Sequence, residues 1–346
     1  MKIMHLVCSD RFAGVEQFVL RLAVAQAAGG HVVHVAGGAA TRMPEQLRAA
    51  GATWEPAEGV RAGVAALRRR RHRLDVINSH MTDADAAAAL VRGRRGAALV
   101  STRHFALRRG RVIGIPVDLL LRRTVDAEIA ISSAVAAATG LPSTVVHSGV
   151  PHAEAAAHPG KIVLMAQRLQ PEKRTEVGIR AFVASGLAHD GWRLDIAGDG
   201  TQRDALQRLV DDLGVGSSVR LLGFRADLPA LLDGASLFLA PCDVEGLGLA
   251  VLEAMAAGVA PVAAASAGHL DVLAGLDERS GFRPGDIEDA ADALRTLATD
   301  GARRSRLAAE ARERARAEFS LAGQVARTEK VYERAIELAT ERGWRA

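Results

Sequence analysis

The chain has 346 residues, of which 49% are hydrophobic and 24% charged, which indicates a globular protein of about two domains and excludes a disordered one. No apolar run reaches the roughly 20 residues of a membrane span, and the N-terminal apolar stretch is too short for a signal peptide. Cys8 and Cys242 are too few for a disulfide framework or a tetrahedral zinc site, which favours a cytoplasmic location.

The two halves of the chain differ in charge. Residues 1–150 hold 20 Lys and Arg against 11 Asp and Glu, whereas residues 151–346 hold 24 against 29. The basic half has two interpretations, a compositional bias toward arginine or a surface for an anionic partner.

The first half alternates short apolar runs with helical patterns, which predicts a doubly wound parallel sheet. The predicted strands are 3–8, 31–36, 75–79, 98–102, 128–131 and 144–147, and the predicted helices include 15–28, 83–91 and 117–124.

A proline-flanked segment over 152–160 predicts a linker, after which the alternation restarts. We therefore predict an α/β protein with two Rossmann-like domains, 1–152 and 160–322, that face a cleft. The predicted strands of the second domain are 161–166, 193–197, 219–222, 237–240 and 260–264, and its predicted helices are 176–185, 202–213, 228–232 and 249–257, with charged helical sequence after 286.

Ligands of doubly wound sheets bind at the carboxyl ends of the strands, so the residues that follow each strand are the candidates. Gly14 stands between the first strand and its helix, where a bare backbone and a helix N-terminus favour phosphate. Arg168 and Lys173 flank a proline turn in the second domain and could clamp a diphosphate, with a solvated loop as the alternative.

Two further turns follow strands of the second domain. Gly198 lies in a Gly-Asp-Gly turn that either admits a nucleotide or simply reverses the chain. Phe224 and Arg225 close the next strand, where they could lie beside a nucleobase, although the sequence favours a core position for the Phe224 side chain.

The most informative segment, 239–258, carries two carboxylates eight residues apart. We expect Glu245 in a glycine-containing loop and Glu253 one to two turns inside an Ala-rich helix. A carboxylate among such apolar neighbours is costly to bury without a partner, which the adjacent hydroxyls of a sugar would supply. Gly246 and Gly248 would offer backbone N–H groups to an anion at the helix N-terminus. A purely structural Glu253 is the alternative.

This segment resembles the retaining nucleotide-sugar glycosyltransferases of the GT-B type, in glycosyltransferase family 4 (glycosyl transferases group 1). The pattern runs from Glu245-Gly-Leu-Gly-Leu through Glu253-Ala-Met-Ala to Pro261-Val262. The resemblance covers essentially the whole chain, most strongly over 161–320. It implies a bacterial GT-B enzyme whose C-terminal helix, 323–346, packs back on the first domain.

The resemblance also implies roles for individual residues. Arg168 and Lys173 resemble the pair that grips the donor diphosphate, Glu253 the acid that binds the ribose, and Glu245 the acid beside the transferred sugar. The remaining implied site residues are Gly246, Leu247, Gly248 and Leu249 as backbone donors, Gly14 near the donor phosphate, His104 as the active-site histidine, and His80 and Arg103 on the acceptor side.

The implied reaction moves a sugar with retention from a nucleoside diphosphate, linked to UDP or GDP, to a hydroxyl acceptor. It uses no metal or other cofactor, and the leaving diphosphate takes the acceptor proton. Asp83-Ala84-Asp85 mimics a metal-binding motif but falls in a predicted helix, so we interpret it as structural. The chain departs from the family at Ala13, where a second glycine is common, and at His269–Asp271, where a Gly-x-Pro-Glu-like turn is usual.

Other classes stay open at this point. A nucleotide-sugar epimerase or hydrolase of the same fold would release product without an acceptor, and a phosphorylase would need a cofactor-bearing lysine that the sequence does not offer.

A non-enzymatic module could bind membrane or nucleic acid through the basic run 68–73, but that run lacks interleaved aromatics, so no nucleic acid is expected. Peripheral contact with an anionic membrane and a solvated helix end are the two interpretations of the run. The donor sugar, the acceptor (lipid, glycan or small natural product) and the oligomeric state are left open.

Overall fold

The computed structural model describes residues 1–70, 73–91, 96–107, 109–112, 114–139, 141–156 and 160–341. Arg71 and His72 of the basic run, residues 157–159 of the predicted linker and the last five residues lie outside the described residues. The chain forms two compact units, Met1–Gly149 with Leu321–Ala346, and Val150–Ser320, which we call unit 1 and unit 2.

Unit 1 is built on a sheet of seven parallel strands in the order β3-β2-β1-β4-β5-β8-β9. The order reverses between the first and the fourth strand, as in doubly wound folds. Every strand predicted for this half is present, with each end within two residues of its predicted position. The strands are β1 (Lys2–Leu6), β2 (Val32–Ala36), β3 (Thr53–Glu55), β4 (Val76–His80), β5 (Ala98–Arg103), β8 (Ala127–Ala130) and β9 (Thr144–Val145), with a separate antiparallel pair β6 (Arg111–Val112) and β7 (Ile115–Pro116).

In the described part of Met1–Gly149, the structure has the three predicted helices and three that the sequence pattern missed. The missed segments are rich in Arg, Gly or Pro, or are only six residues long, so their periodicity is weak. The helices are α1 (Gly14–Ala28), α2 (Met43–Ala49), α3 (Gly59–Arg70), α4 (Met81–Val91), α5 (Val117–Leu121) and α6 (Ser133–Ala138).

Unit 2 has a parallel sheet of six strands in the order β12-β11-β10-β13-β14-β15, which reverses between β10 and β13. The five predicted strands are confirmed, three of them with their predicted ends. The strands are β10 (Ile162–Ala166), β11 (Arg193–Ala197), β12 (Val219–Gly223), β13 (Leu237–Ala240), β14 (Ala260–Ala264) and β15 (Gly281–Phe282).

The helices of unit 2 cover both faces of this sheet around a core that includes Phe182, Trp192 and Phe282. Aspartate side chains cap the N-termini of the last two helices of unit 2. Asp286 accepts a hydrogen bond from Asp289 N at 3.0 Å, and Asp300 accepts one from Arg303 N at 2.8 Å. The helices are α7 (Thr175–Ser185), α8 (Arg203–Asp212), α9 (Leu228–Asp233), α10 (Leu249–Ala256), α11 (His269–Leu273), α12 (Ile287–Thr299) and α13 (Gly301–Glu318).

The last helix, α14 (Leu321–Glu341), completes the core of unit 1. Tyr332 is fully buried, and its hydroxyl accepts a hydrogen bond from Asn78 Nδ2 of β4 at 2.7 Å. Gly149 N donates to Gln324 Oε1 at 2.7 Å, so the helix is also tied to the end of the first part of the chain. Among the helices that the structure describes, none is both long enough and apolar enough to cross a membrane.

Candidate functional site

The candidate site of unit 2 lies where its strand order reverses. The loops after β10 and β13 stand on the two sides of that point, which is where doubly wound sheets bind ligands. The structure brings together one predicted residue from each loop, because Lys173 Nζ donates a hydrogen bond to Glu245 Oε2. These two residues are 72 positions apart in the chain, so the parallel sheet alone makes them neighbours.

The position of Lys173 is set by its loop. Gln167 Nε2 donates to the Lys173 carbonyl at 3.0 Å and to Thr175 Oγ1 at 2.9 Å, which ties the loop to the start of α7. Arg174 adopts a left-handed backbone with φ of 52° between the turn Pro171–Lys173 and the helix. A non-glycine residue in this region is uncommon and persists where its surroundings hold it, so the fold orients the lysine before any ligand binds.

Glu245 is charged in this setting. Burial alone would raise the pKa of its carboxyl group, but the charge of Lys173 and the hydrogen bond from it outweigh burial and hold the pKa below its usual value. The buried imidazole of His269 and the thiol of Cys242 act in the same direction. The side chains of Lys173 and Glu245 remain 15% and 27% exposed, so a ligand can reach both.

The loop after Glu245 packs tightly on the start of α11. A Cβ added to Gly268 would lie 2.2 Å from the Gly246 carbonyl oxygen, and Gly268 N donates to the Glu245 carbonyl at 3.0 Å. Gly248 has φ of 101°, and a Cβ there would lie 2.6 Å from the imidazole of His269. The glycines of this loop are therefore required by its own packing as well as by any ligand.

The same loop presents open hydrogen-bond donors. Within the described residues, the backbone N–H groups of Gly246, Leu247 and Gly248 donate no hydrogen bond. They lead directly into the first turn of α10, whose N–H groups also lack helical partners. This cluster of donors, at the positive end of the helix dipole and beside Lys173, can bind an anion such as phosphate.

The other residues of this segment and loop that were predicted to bind the donor substrate differ in their exposure to solvent. Arg168 is 57% exposed and lies 3.2 Å from the carboxylate of Glu172. Glu253 is half-buried in α10, four residues after its start, which confirms the expected position one to two turns inside the helix. The helix residues on either side of it are buried, namely Val251, Leu252, Ala254 and Met255.

The turns after β11 and β12 also differ from the sequence expectation. Gly198 has φ of 146°, and a Cβ there would lie 1.8 Å from the Gln167 carbonyl, so this glycine serves the close contact between two loops. The Phe224 side chain is 66% exposed, so the interpretation as a core residue is wrong. Arg225 Nε donates to Asp227 Oδ1 at 2.7 Å beside it.

In unit 1 the predicted histidines are in contact. His80 ends β4 and His104 follows β5, and their Nδ1 and Nε2 atoms lie 3.0 Å apart. The guanidinium of Arg103, the last residue of β5, donates a hydrogen bond to the Leu107 carbonyl and supports the loop after β5. His5 of β1, whose Nδ1 is 3.1 Å from His80 Nε2, belongs to the same group and was not predicted.

Gly14 begins α1, and nothing lies within 4 Å of the position that a Cβ would take. The carboxylate of Glu16 lies at the same helix end, where it accepts hydrogen bonds from Ser9 Oγ at 2.6 Å and Ala13 N at 2.9 Å. An acidic side chain thus meets part of the positive end of this helix, which reduces the attraction that α1 offers to an anionic ligand.

Asp85 of the Asp-x-Asp motif is structural, as interpreted from the sequence. Its carboxylate accepts hydrogen bonds from Ser79, Ser101 and Arg109, and Arg109 also binds Glu128. Across the described ranges, no group of three or more His, Cys, Asp and Glu side chains is arranged to hold a metal ion.

Several residues that shape the unit 2 site were not predicted from the sequence. Gln167, Asp243 and Gly268 act through loop contacts, and His269 was noted only as a departure from a family pattern. The one available signal was position, because each of them follows a strand of the parallel sheet.

Two units in one chain, each built on a doubly wound parallel sheet, define a protein of the GT-B fold, and unit 2 presents an anion-binding loop at the carboxyl ends of its strands. The family model described as Glycosyl transferases group 1 matches residues 150–314, and the model Glycosyltransferase Family 4 matches residues 12–154. The chain therefore belongs to the family 4 (group 1) glycosyltransferases.

Individual relatives are more distant. An exopolysaccharide phosphotransferase of Streptomyces coelicolor is 38% identical over 151 residues, which are 41% of this chain and 15% of that protein. A GDP-mannose-dependent alpha-(1-6)-phosphatidylinositol monomannoside mannosyltransferase of Mycobacterium tuberculosis is 34% identical over 166 residues, 44% of this chain and 42% of that protein. The chain thus spans less than half the length of these two relatives.

The fold has close matches among solved structures. HepE of Anabaena, solved in complex with UDP and glucose, superposes with a TM-score of 0.79 at 21% identity, and the match covers 96% of this chain and 99% of HepE. At this identity the similarity establishes the GT-B fold.

Proposed function

We propose that the protein is a retaining glycosyltransferase that moves a sugar from a nucleoside diphosphate to a hydroxyl acceptor without a metal ion. The observation that carries the proposal is the Lys173–Glu245 pair beside the open N–H groups of Gly246, Leu247 and Gly248. A cation, a row of N–H donors and a carboxylate match a ligand that joins an anionic diphosphate to a polyol.

The donor diphosphate would be held by Lys173, Arg168 and the N-terminus of α10. The Lys173 ammonium has three protons, so it can contact a phosphate while it keeps its bond to Glu245. Arg168 is exposed and can turn its planar guanidinium to two phosphate oxygens at once. These groups oppose the negative charge that grows on the diphosphate as it leaves.

The two carboxylates of the segment would bind hydroxyl groups. Glu245 would accept hydrogen bonds from the transferred sugar through the oxygen that does not contact Lys173. Glu253, half-buried one turn into α10, would accept hydrogen bonds from the ribose. Phe224, Arg225 and Gly198 would lie toward the nucleoside, where the exposed Phe224 ring offers a stacking surface.

The reaction would proceed on one face of the sugar. The bond from the anomeric carbon to the diphosphate oxygen breaks as the acceptor oxygen bonds on the same side, and the acceptor proton passes to the leaving phosphate oxygen. The chain contributes orientation and charge stabilisation. On unit 1 we propose His104 and His80 as acceptor-side residues, because both stand at the carboxyl ends of central strands.

The relatives suggest the donor nucleotide. HepE binds UDP and glucose, and the mannosyltransferase relative depends on GDP-mannose. We therefore propose UDP or GDP as the carrier. Cys8 and Cys242 are both buried free thiols, which supports a reducing compartment such as the cytoplasm.

Calorimetry with UDP, GDP, ADP and dTDP, on the wild type and on Glu253→Ala, tests the donor site. We expect one nucleotide to bind, and its affinity to fall about tenfold in Glu253→Ala, the effect of losing one charge-assisted hydrogen-bonded contact. Glu310→Ala, on the exposed side of α13, is the matched control and should bind normally. Wild-type affinity in Glu253→Ala would exclude the ribose role, and no binding of any nucleotide would contradict the proposed function.

The reaction type needs a separate measurement. NMR of the products formed from the sugar nucleotide should show transfer to an acceptor with the anomeric configuration of the donor. An inverted product would contradict retention. Free sugar or an isomerised sugar nucleotide that forms equally fast without an acceptor would support the hydrolase or epimerase alternative.

We also propose peripheral contact between unit 1 and an anionic membrane. Lys2, Arg69, Arg70 and Arg73 line a pocket of about 440 Å³ at the amino ends of β1 and its neighbours, the edge opposite to the histidines. Arg69 and Arg70 form ion pairs with Glu55, which neutralises part of this charge. Each cation that remains unneutralised attracts anionic headgroups with about 1 kcal/mol near the surface.

Co-sedimentation with phosphatidylglycerol-containing vesicles tests this contact. Binding should fall in Arg69→Ala/Arg73→Ala and at high salt, and Arg306→Ala/Arg316→Ala, which removes two exposed arginines of α13, should bind as the wild type does. Equal binding of both double variants would contradict the proposal.

A further inference from the structure

A line of three buried histidines crosses the sheet of unit 1. His5 Nδ1 lies 3.1 Å from His80 Nε2, and His80 Nδ1 lies 3.0 Å from His104 Nε2. At the inner end, His5 Nε2 lies 2.8 Å from Gln26 Oε1 of α1. We call these four residues the histidine chain.

The histidine chain runs from the interior of unit 1 to its surface. His5, His80 and Gln26 are completely buried, whereas His104 keeps 6% of its surface exposed. The ring of Phe18 meets His104 edge-on at 4.7 Å between centroids and His80 at 5.9 Å, which closes one side of the chain. Within the described residues, nothing forms a hydrogen bond with His104 Nδ1, the free end of the chain.

All three rings are neutral near pH 7. Burial lowers the pKa of His5 to about 4 and that of His104 to about 3, the latter with help from the positive charge of Arg103. Burial and the two neighbouring imidazoles hold the pKa of His80 well below its usual value. A neutral imidazole carries one N–H and one lone pair, so each ring must donate at one nitrogen and accept at the other.

The amide oxygen of Gln26 sets the direction of the chain. Because Oε1 can only accept, His5 must carry its proton on Nε2 and accept at Nδ1. His80 must then donate from Nε2 to His5 and accept at Nδ1, and His104 must donate from Nε2 to His80. Each ring determines the tautomer of the next, and His104 is left with a lone pair on Nδ1.

We infer that Gln26, His5 and His80 are positioning residues that hold His104 as the Nε2–H tautomer, with Nδ1 as a fixed hydrogen-bond acceptor for a hydroxyl of the acceptor other than the one that reacts. The assignment of the hydroxyl rests on the proposed function, whereas the tautomer does not. A ring that always accepts at Nδ1 orients the acceptor through this second O–H group, while the reacting hydroxyl keeps its proton for the leaving phosphate. The ring loses this ability if its own proton moves to Nδ1.

Nitrogen-15 NMR of histidine side chains in the full-length protein at pH 7 tests the tautomer without any substrate. We expect His104 to show a protonated Nε2 and an unprotonated Nδ1. If the Gln26 amide has the opposite orientation, with Nε2 toward His5, every ring of the histidine chain carries its proton on Nδ1. Detection of that tautomer at His104 would overturn the inference. This measurement needs only the wild type and an assignment by His104→Gln.

Gln26→Met, which removes the terminal acceptor with little change in volume, tests the direction of control. The His104 resonances should shift toward a mixture of both tautomers, whereas His34→Gln should leave them unchanged. His34 is the matched control because it is buried in the same sheet but bonds to Thr53 and Glu55. An unchanged His104 tautomer in Gln26→Met would overturn the role of Gln26.

The link to catalysis is tested separately. In Gln26→Met, kcat should fall about fivefold, the equivalent of one net hydrogen bond, while the nucleotide affinity stays at the wild-type value. A normal kcat combined with a changed tautomer would overturn the positioning role, whereas failure of the proposed function would appear as absent nucleotide binding in the wild type.

Discussion

At the scale of single residues, the Lys173–Glu245 pair is the feature from which the proposed chemistry follows. Glu245 holds the ammonium of Lys173 at the mouth of the anion-binding loop, so the lysine is in place before a diphosphate arrives. Such preorganisation matters because a flexible surface lysine would have to be ordered at the moment of reaction. The pair also explains why a lysine stands here in a chain that has only four.

Lys173→Ala should lower kcat by a factor on the order of 10²–10³, because it removes a charge that opposes the growing negative charge of the leaving diphosphate. The measurement is steady-state turnover of the sugar nucleotide. Lys161→Ala is the control. Lys161 precedes β10, so it lies at the amino ends of the strands, away from the site, and its ammonium donates a hydrogen bond to the Asp190 carbonyl. Near-normal turnover of Lys173→Ala would exclude a role for this residue in stabilising the leaving group.

At the scale of elements, the packing of one loop on the next helix determines whether the anion-binding donors converge. Gly268, just before α11, has no room for a side chain because the Gly246 carbonyl lies against it. The donor loop and the start of α11 therefore form one packed element, although α10 and β14 lie between them in the chain.

Gly268→Ala should weaken nucleotide binding at least tenfold, since its Cβ would displace the loop of Gly246–Gly248, and should reduce the free energy of unfolding by about 1–3 kcal/mol. Calorimetry and urea unfolding measure the two effects. Gly216→Ala, at a turn of unit 2 with open space around it, should change neither. Wild-type nucleotide affinity in Gly268→Ala would show that the loop does not bind the donor.

Helix α14 offers a second prediction at this scale. Tyr332→Phe should reduce the free energy of unfolding by about 1–3 kcal/mol, because the buried Nδ2 of Asn78 loses its acceptor. Urea unfolding followed by hydrogen exchange in peptides of unit 1 measures the loss. The exposed Arg334→Ala on the same helix should have little effect, and equal stability of Tyr332→Phe and the wild type would show that this hydrogen bond contributes nothing net.

Elements differ in how well the sequence predicted them. The central strands were found because strands buried on both faces read as apolar runs of four to six residues. The edge strands β3 and β15 were missed, since the first is the polar triplet Thr53–Glu55 and the second has only two residues.

The residues of the candidate site also differ in how well the sequence predicted them. Lys173 and Glu245 were predicted because the carboxyl ends of parallel strands are places where ligands bind, and the chain position of a strand end can be read directly. His80 and His104 were implied by the resemblance to the family. His5 could not be predicted, because its role depends on contacts with residues 21 and 75 positions away. Gln167 and Gly268 were missed because loop-to-loop packing leaves no periodic signal in the sequence.

At the scale of the whole molecule, the two units differ in their buried histidines. Burial lowers the pKa of His5, His34, His80 and His104, all in unit 1, whereas in unit 2 the described histidine with a lowered pKa is His269. A histidine that stays neutral in the folded state but takes up a proton when unfolded lowers the stability as the pH falls below about 6.5. The loss continues until the pH reaches the folded pKa.

Acidification should therefore destabilise unit 1 before unit 2. Each such histidine removes up to about 1.4 kcal/mol per pH unit below pH 6.5, so unit 1, with four of them, should lose more stability by pH 5.5 than unit 2, where one is described. Glu128 of unit 1, whose pKa burial raises, takes up a proton in the folded state and offsets part of the loss. Hydrogen exchange in urea at pH 7.5, 6.5 and 5.5, corrected for intrinsic rates, separates the units by their peptides. His34→Gln should reduce the pH dependence of unit 1 alone, and an equal loss in both units would contradict the argument from buried neutral histidines.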